Sequence, residues 1–177
     1  MDNLKVSIAG IGIAMAVFSA CTTGQQQPAL TASGLNPAAF DSTINGKKTA
    51  LYTLKNNSGM EVCITNFGGR VVSIVVPDKD GKPTDVVLGY DNVAQYADTV
   101  NSPSDFGSSV GRYANRINKG KITVEGKEYQ LPQNNFGHCL HGGPSGWMYQ
   151  VYDAEQPNDT TLKLTIVSPD GDNGFPG

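Results

Sequence analysis

The chain has 177 residues, 38% of them apolar and 16% charged, with 21 Gly, 10 Pro and a formal net charge of −3. That length suits one domain, and the apolar share argues against a disordered chain. No basic run exceeds Lys47-Lys48, which excludes the clustered Lys and Arg that binding a nucleic-acid backbone requires.

The N-terminus reads as an export signal. Lys5 precedes a mostly apolar stretch, Val6 to Val17, too short to span a bilayer as a helix. It leads into Phe18-Ser19-Ala20-Cys21, a string similar to a bacterial lipobox, with Phe18 in place of the usual Leu. Ser19 and Ala20 are small enough to admit a peptidase, and Cys21 supplies a thiol for lipid attachment. Residues 1–20 are therefore expected to be a lipoprotein signal peptide, the alternative being a plain secretory signal with an incidental Cys. Either takes the mature protein out of the cytoplasm. The first makes it a periplasm-facing cell-envelope lipoprotein, held at the membrane by lipid chains alone. Residues 21–42 open with Thr22-Thr23-Gly24-Gln25-Gln26-Gln27-Pro28, polar and without apolar period, and are expected to form a tether.

From residue 43 onward the pattern is β. Lys48 to Lys55 carries Leu, Tyr and Thr, and Asn56-Asn57-Ser58-Gly59 is a turn. Met60, Val62 and Ile64 alternate with Glu61, Cys63 and Thr65. Gly68-Gly69 interrupts, and Arg70 to Val76 is a β-branched run. Pro77 to Pro83 is a strong turn, and Asp85 to Tyr90 is expected to be the next strand. Asn92 to Asp98 is the one helical candidate, and it is short. Lys121 to Val124 and Glu128 to Leu131 flank Glu125-Gly126-Lys127 as a hairpin. Leu162 to Val167 alternates again. Strands at this spacing without long helices predict an all-β antiparallel sandwich or barrel. The closing run, Ser168-Pro169-Asp170-Gly171 through Phe175-Pro176-Gly177, consists of turn formers directly after a strand. Turns connect elements, so the sequence predicts a domain that continues. Of the three Cys, Cys63 and Cys139 remain beside Cys21, and sequence leaves open a disulfide or two buried thiols.

Two short strings carry chemistry: Gly111-Arg112-Tyr113-Ala114-Asn115-Arg116-Ile117 and Leu140-His141-Gly142-Gly143. A guanidinium offers five fixed donors, so Arg116 is either a surface residue ending a strand or a group that can hold several sugar oxygens and stabilise charge developing on one. Asn115 adds a donor and an acceptor for vicinal hydroxyls. His141 is either a structural His at a turn or a group that bonds a hydroxyl in either direction, and Gly142-Gly143 is expected to let the backbone approach a ligand closely. Trp147 is either a platform for a pyranose face or simple core packing, the commoner fate of a lone Trp. His138 and His141 face opposite sides of an extended segment and have no spaced partner, so no metal site is expected.

Together these strings resemble the sugar-binding half of the aldose 1-epimerase (galactose mutarotase) family, and the resemblance extends over Lys48 to Gly177. Asn66-Phe67-Gly68-Gly69, Val87-Leu88-Gly89-Tyr90 and the Ser168-to-Gly177 loop look like its successive segments. The resemblance implies a large antiparallel β-sandwich, the mutarotase-like supersandwich, with residues 43–177 as its N-terminal part and the fold here incomplete. It implies interconversion of α and β anomers of free aldohexoses, galactose or glucose, by acid–base ring opening and closure. No metal or organic cofactor is expected, because proton transfer is the whole chemistry. It implies Asn115, Arg116 and His141 as substrate-binding residues. The family's His acid and Glu base have no counterpart in these residues, so no catalytic residue is assigned. The competing reading is a lipid-anchored, non-catalytic carbohydrate-binding β-sandwich. A third, an epimerase-like protein for phosphorylated sugars, would want basic residues at the cleft beyond Arg112 and Lys119.

Overall fold

A computed structural model describes residues 29–177; the expected signal peptide, Cys21 and the front of the expected tether lie outside them. The ordered fold begins earlier than the tether boundary predicts. Asn36 accepts a hydrogen bond from the Ala38 amide and, with Pro37 behind it, starts a 3-10 turn over Pro37–Phe40. That turn drives Phe40 into the core, where it is 0% exposed, beside Leu35. The Ala32 amide donates to Glu61 Oε1 at 2.6 Å, Ser33 Oγ to Ser73 Oγ at 3.0 Å, and Thr49 Oγ1 to the Phe40 carbonyl at 2.7 Å. Residues 31–42 are thus a strap of the domain, not a tether. The spaced apolar pair Leu35 and Phe40 outweighs the polar residues around it.

Every strand pairing is antiparallel, as the sequence predicts. Strands β1 (Ser42–Ile44) and β2 (Lys47–Thr49) form a hairpin on Asn45-Gly46, whose φ values of 52° and 76° give the tight turn that fits strand twist. The predicted strand from Lys48 is split at Ala50, whose amide donates to Asn66 Oδ1 at 2.9 Å instead of to a ladder. Beyond it, β3 (Leu51–Lys55), β4 (Glu61–Thr65), β5 (Arg70–Pro77) and β6 (Pro83–Asp85) make a four-stranded sheet in that order. The predicted Asp85-to-Tyr90 strand ends where it was to begin. Asp85 Oδ1 accepts the Ile74 and Val87 amides at 3.0 and 3.1 Å, and the chain leaves the ladder. The short helix α1 (Val93–Ala97) follows, capped by Asn92.

The sheet has two unlike faces. Cys63 and Val72 join Leu35, Phe40, Phe67, Val93, Tyr96 and Val151 in one core cluster. On the other side Leu54, Val62 and Ile74 lie in register, as do Tyr52, Ile64 and Val71, and all six are only half-buried. Near the core, Glu61 is buried and stabilised by an ion pair to Lys55 Nζ at 2.9 Å.

The remaining strands are short. They are β7 (Arg116–Ile117), β8 (Lys121–Val124), β9 (Lys127–Gln130), β10 (Cys139–Leu140), β11 (Asp153–Asn158) and β12 (Thr161–Thr165). They pair as β7–β10, β8–β9 and β11–β12. A second core cluster of Ile117, Leu131, Cys139 and Phe175 lies beneath them. Cys63 and Cys139 fall in different clusters and are free buried thiols.

Burial pushes the Cys63 and Cys139 thiols up from their ordinary 9.0, and the Tyr96 phenol up from 10.0. In the unfolded chain these groups ionise at their ordinary values; in the folded chain they keep their protons to higher pH. Their contribution to stability is therefore complete below the unfolded values and is lost as pH rises through the raised ones. The urea midpoint is expected to hold through neutral pH and to fall from about pH 9 upward. A midpoint that stays level well above that pH contradicts this account.

Candidate functional site

The two-residue ladder β7–β10 sets Arg116 opposite Leu140. Asn115 and His141 sit just past its end and lock each other in both directions. The His141 amide donates to the Asn115 carbonyl at 3.1 Å, and the Asn115 amide donates to His141 Nδ1 at 2.9 Å. Both residues adopt left-handed backbone, φ 65° and 53°, a conformation Asn tolerates and His rarely takes. Because Nδ1 accepts a backbone amide, the neutral ring carries its proton on Nε2.

Arg116 is exposed yet held. Its Nε donates to Asn135 Oδ1 at 2.8 Å and its Nη1 reaches Asn115 Oδ1 at 3.4 Å; among the described residues no acceptor engages Nη2. The sequence reading missed Asn135. It belongs to a tight loop in which Phe136 and Gly137 take φ of 48° and 78°. The neighbouring Asn134 bonds both backbone groups of Leu140. The signal was the Asn134-Asn135 pair before Phe136-Gly137, a turn signature whose partners lie too far along the chain to be read. His138 closes the same loop, its Nδ1 accepting the Lys119 amide at 3.1 Å. Among the described residues no three His, Cys, Asp or Glu side chains come together as a metal site.

Gly111 and Gly142 serve packing. A Cβ on Gly142 would run into the Gly111 carbonyl, and one on Gly111 would enter the Trp147 ring. Close approach at Gly142 is thus backbone against backbone, which corrects the expectation drawn from Gly142-Gly143. Trp147 closes over Gly111 and acts in packing. Arg112 also turns away from His141. Its guanidinium donates to Ser168 Oγ and the Ser168 carbonyl, each at 2.8 Å, and to the Pro169 and Pro176 carbonyls. It staples the terminal loop and is not free to serve a phosphate.

A loop from the other side completes the site. Arg70, 0% exposed, donates to the carbonyls of Ser104 and Phe106 at 3.2 and 3.1 Å and to that of Met148 at 3.1 Å. Burial pulls its guanidinium down from the ordinary value, opposed first by Tyr96 and then by Asp105. Its grip on both neighbours of Asp105 fixes that residue beside His141, with Oδ2 3.8 Å from Nε2.

The site thus pairs a fork of donors with an oriented imidazole on glycine-packed loops. Residues 50–177 match the family described as Aldose 1-epimerase. The chain belongs to the aldose 1-epimerase family. It is 35% identical over 133 residues to an aldose 1-epimerase of Escherichia coli, a match covering 75% of this chain and 38% of that protein. It is 41% identical over 118 residues to the galactose mutarotase of Rattus norvegicus, covering 67% and 33%. Among solved structures, a GalM/aldose epimerase homologue from C. elegans superposes with a TM-score of 0.66 at 31% identity, covering 73% of this chain and 39% of that one. The chain spans 33–38% of the length of these curated epimerase relatives. The all-β antiparallel class expected from sequence is the epimerase fold.

Proposed function

We propose that the protein interconverts the α and β anomers of a free aldohexose, galactose or glucose, with Asn115, Arg116 and His141 positioning the sugar. One observation carries the reading. The Arg116 guanidinium, indexed by Asn135, and the Nε2–H of His141, fixed by Asn115, are presented from adjoining residues of one ladder. A pyranose offers a ring oxygen and vicinal hydroxyls that match such donors. In the reaction an acid protonates the ring oxygen while a base takes the proton of the anomeric hydroxyl. The ring opens, the C1–C2 bond turns, and the steps reverse on the other face. Arg116 orients the ring and stabilises charge on its oxygen during opening. We assign the acid and base to neither His138 nor any carboxylate of these residues; residues 1–177 alone are expected to leave mutarotation at the buffer rate.

Polarimetry on the product of the complete coding sequence tests the proposal. Acceleration over the buffer blank supports it. Intact sugar binding at the blank rate points to the non-catalytic carbohydrate-binding reading.

The lipobox-like residues before Cys21 support a second proposal, that the chain is exported and lipid-anchored at that thiol. Labelled palmitate is expected to enter the wild type in a Gram-negative host, and Cys21→Ser to abolish incorporation. Label persisting in Cys21→Ser, or none in the wild type, points to a plain signal peptide.

A further inference from the structure

We propose that Asp105 is a sugar-contacting residue that sets specificity, clasping with His141 a single hydroxyl of the bound aldose. This rests on the sugar-positioning reading of His141. Three observations lead to it. First, the carboxylate is 47% exposed and the imidazole 24%, so both open to one space. Second, the Asp105 carboxylate has no hydrogen-bond donor among the described residues, although its backbone carbonyl is taken by Ser108. An ionised carboxylate has about four acceptor positions, and no described residue donates to them. Third, its place is fixed from beneath: Arg70, wholly buried, holds the carbonyls on either side of it.

The separation is the decisive geometry. At 3.8 Å, Nε2 and Oδ2 are too far apart for a direct hydrogen bond. A hydroxyl oxygen placed about 2.8 Å from each fits between them with a bend of roughly 85° at the oxygen. Such a hydroxyl accepts the Nε2–H and donates its own proton to Oδ2. Only a group that both accepts and donates satisfies the two sides, which describes a sugar hydroxyl and excludes an ether, a deoxy carbon or an anionic oxygen. Asp105 thereby favours a neutral polyol and repels a phosphorylated sugar at this position.

The test uses the complete protein with galactose and each mono-deoxygalactose, in the wild type, Asp105→Ala and Asp105→Asn. One deoxy sugar is expected to show KM raised about tenfold or more in the wild type, the scale of a hydrogen bond to a charged acceptor. Asp105→Ala is expected to shrink that ratio severalfold, leaving the share that His141 supplies through its own bond to the same hydroxyl. Asp105→Asn, which keeps an acceptor oxygen, should restore part of the ratio. Asp105→Ala retaining the wild-type discrimination overturns the inference while leaving the proposed function standing, as does a wild type indifferent to every deoxy sugar. A wild type that neither binds nor turns over any free aldose overturns both.

Discussion

Arg116→Ala in the complete protein is expected to lower kcat/KM for mutarotation by roughly ten- to 150-fold, the loss of a charged donor to bound sugar at about 1.5–3 kcal/mol. The structure makes this substitution clean. Arg116 is exposed, and its side-chain partners are two amide oxygens, Asn135 Oδ1 and Asn115 Oδ1. Removing it should leave stability within about 0.5 kcal/mol, as for ordinary surface positions. A kinetic loss at unchanged thermal midpoint therefore reports on the sugar and not on the fold. His141→Ala is less clean, because it also strips the Asn115 amide of its acceptor. Arg116→Ala with wild-type kinetics would remove Arg116 from the site.

Arg70→Ala is expected to act through the fold instead. It leaves the carbonyls of Ser104, Phe106 and Met148 without their donor. The Met148 carbonyl is buried and the other two only part-buried; an unmet buried acceptor costs about 1–3 kcal/mol, partly offset by no longer burying a cation, for a net loss on the order of 2 kcal/mol. The ring faces of Phe67 and Tyr96, 5.7 and 5.1 Å from the guanidinium, lose their cation as well. Arg70→Lys should recover little, since one ammonium cannot reproduce a planar fork spread over three carbonyls. Urea unfolding reads the loss, and hydrogen exchange at Asp105 to Ser109 should quicken before the rest of the sheet opens. An unchanged midpoint and unchanged exchange in Arg70→Ala would falsify this role.

Much of this was visible in local sequence. The turn at Glu125-Gly126, the strands around it and the short helix after Asn92 follow from period and turn chemistry, whereas the Asn45-Gly46 hairpin was not read. The meeting of Asn115 and Arg116 with His141 came from the resemblance of two strings, not from spacing. What stayed hidden depends on partners distant in sequence. Arg70 reads as an ordinary residue after Gly68-Gly69, and only the packed chain brings it three carbonyls from two other segments. Asp105 sits in a Ser-Pro-Ser-Asp run that signals loop and nothing more. Asp85 sits at the start of an apolar run that looks like a strand, yet its side chain takes two amides and ends the ladder. Leu35 and Phe40 were masked by the polar composition around them.

Were the proposed lipid attachment at Cys21 made, the early start of the fold would limit how far the protein could stray from a membrane. With Ala32 and Ser33 already bonded to the sheet, lipid attachment at Cys21 would leave only Thr22 to Leu30 as leash. Fully extended at about 3.3–3.6 Å per residue, that leash reaches roughly 30 Å. If both proposals hold, the sugar site would work close to the bilayer surface.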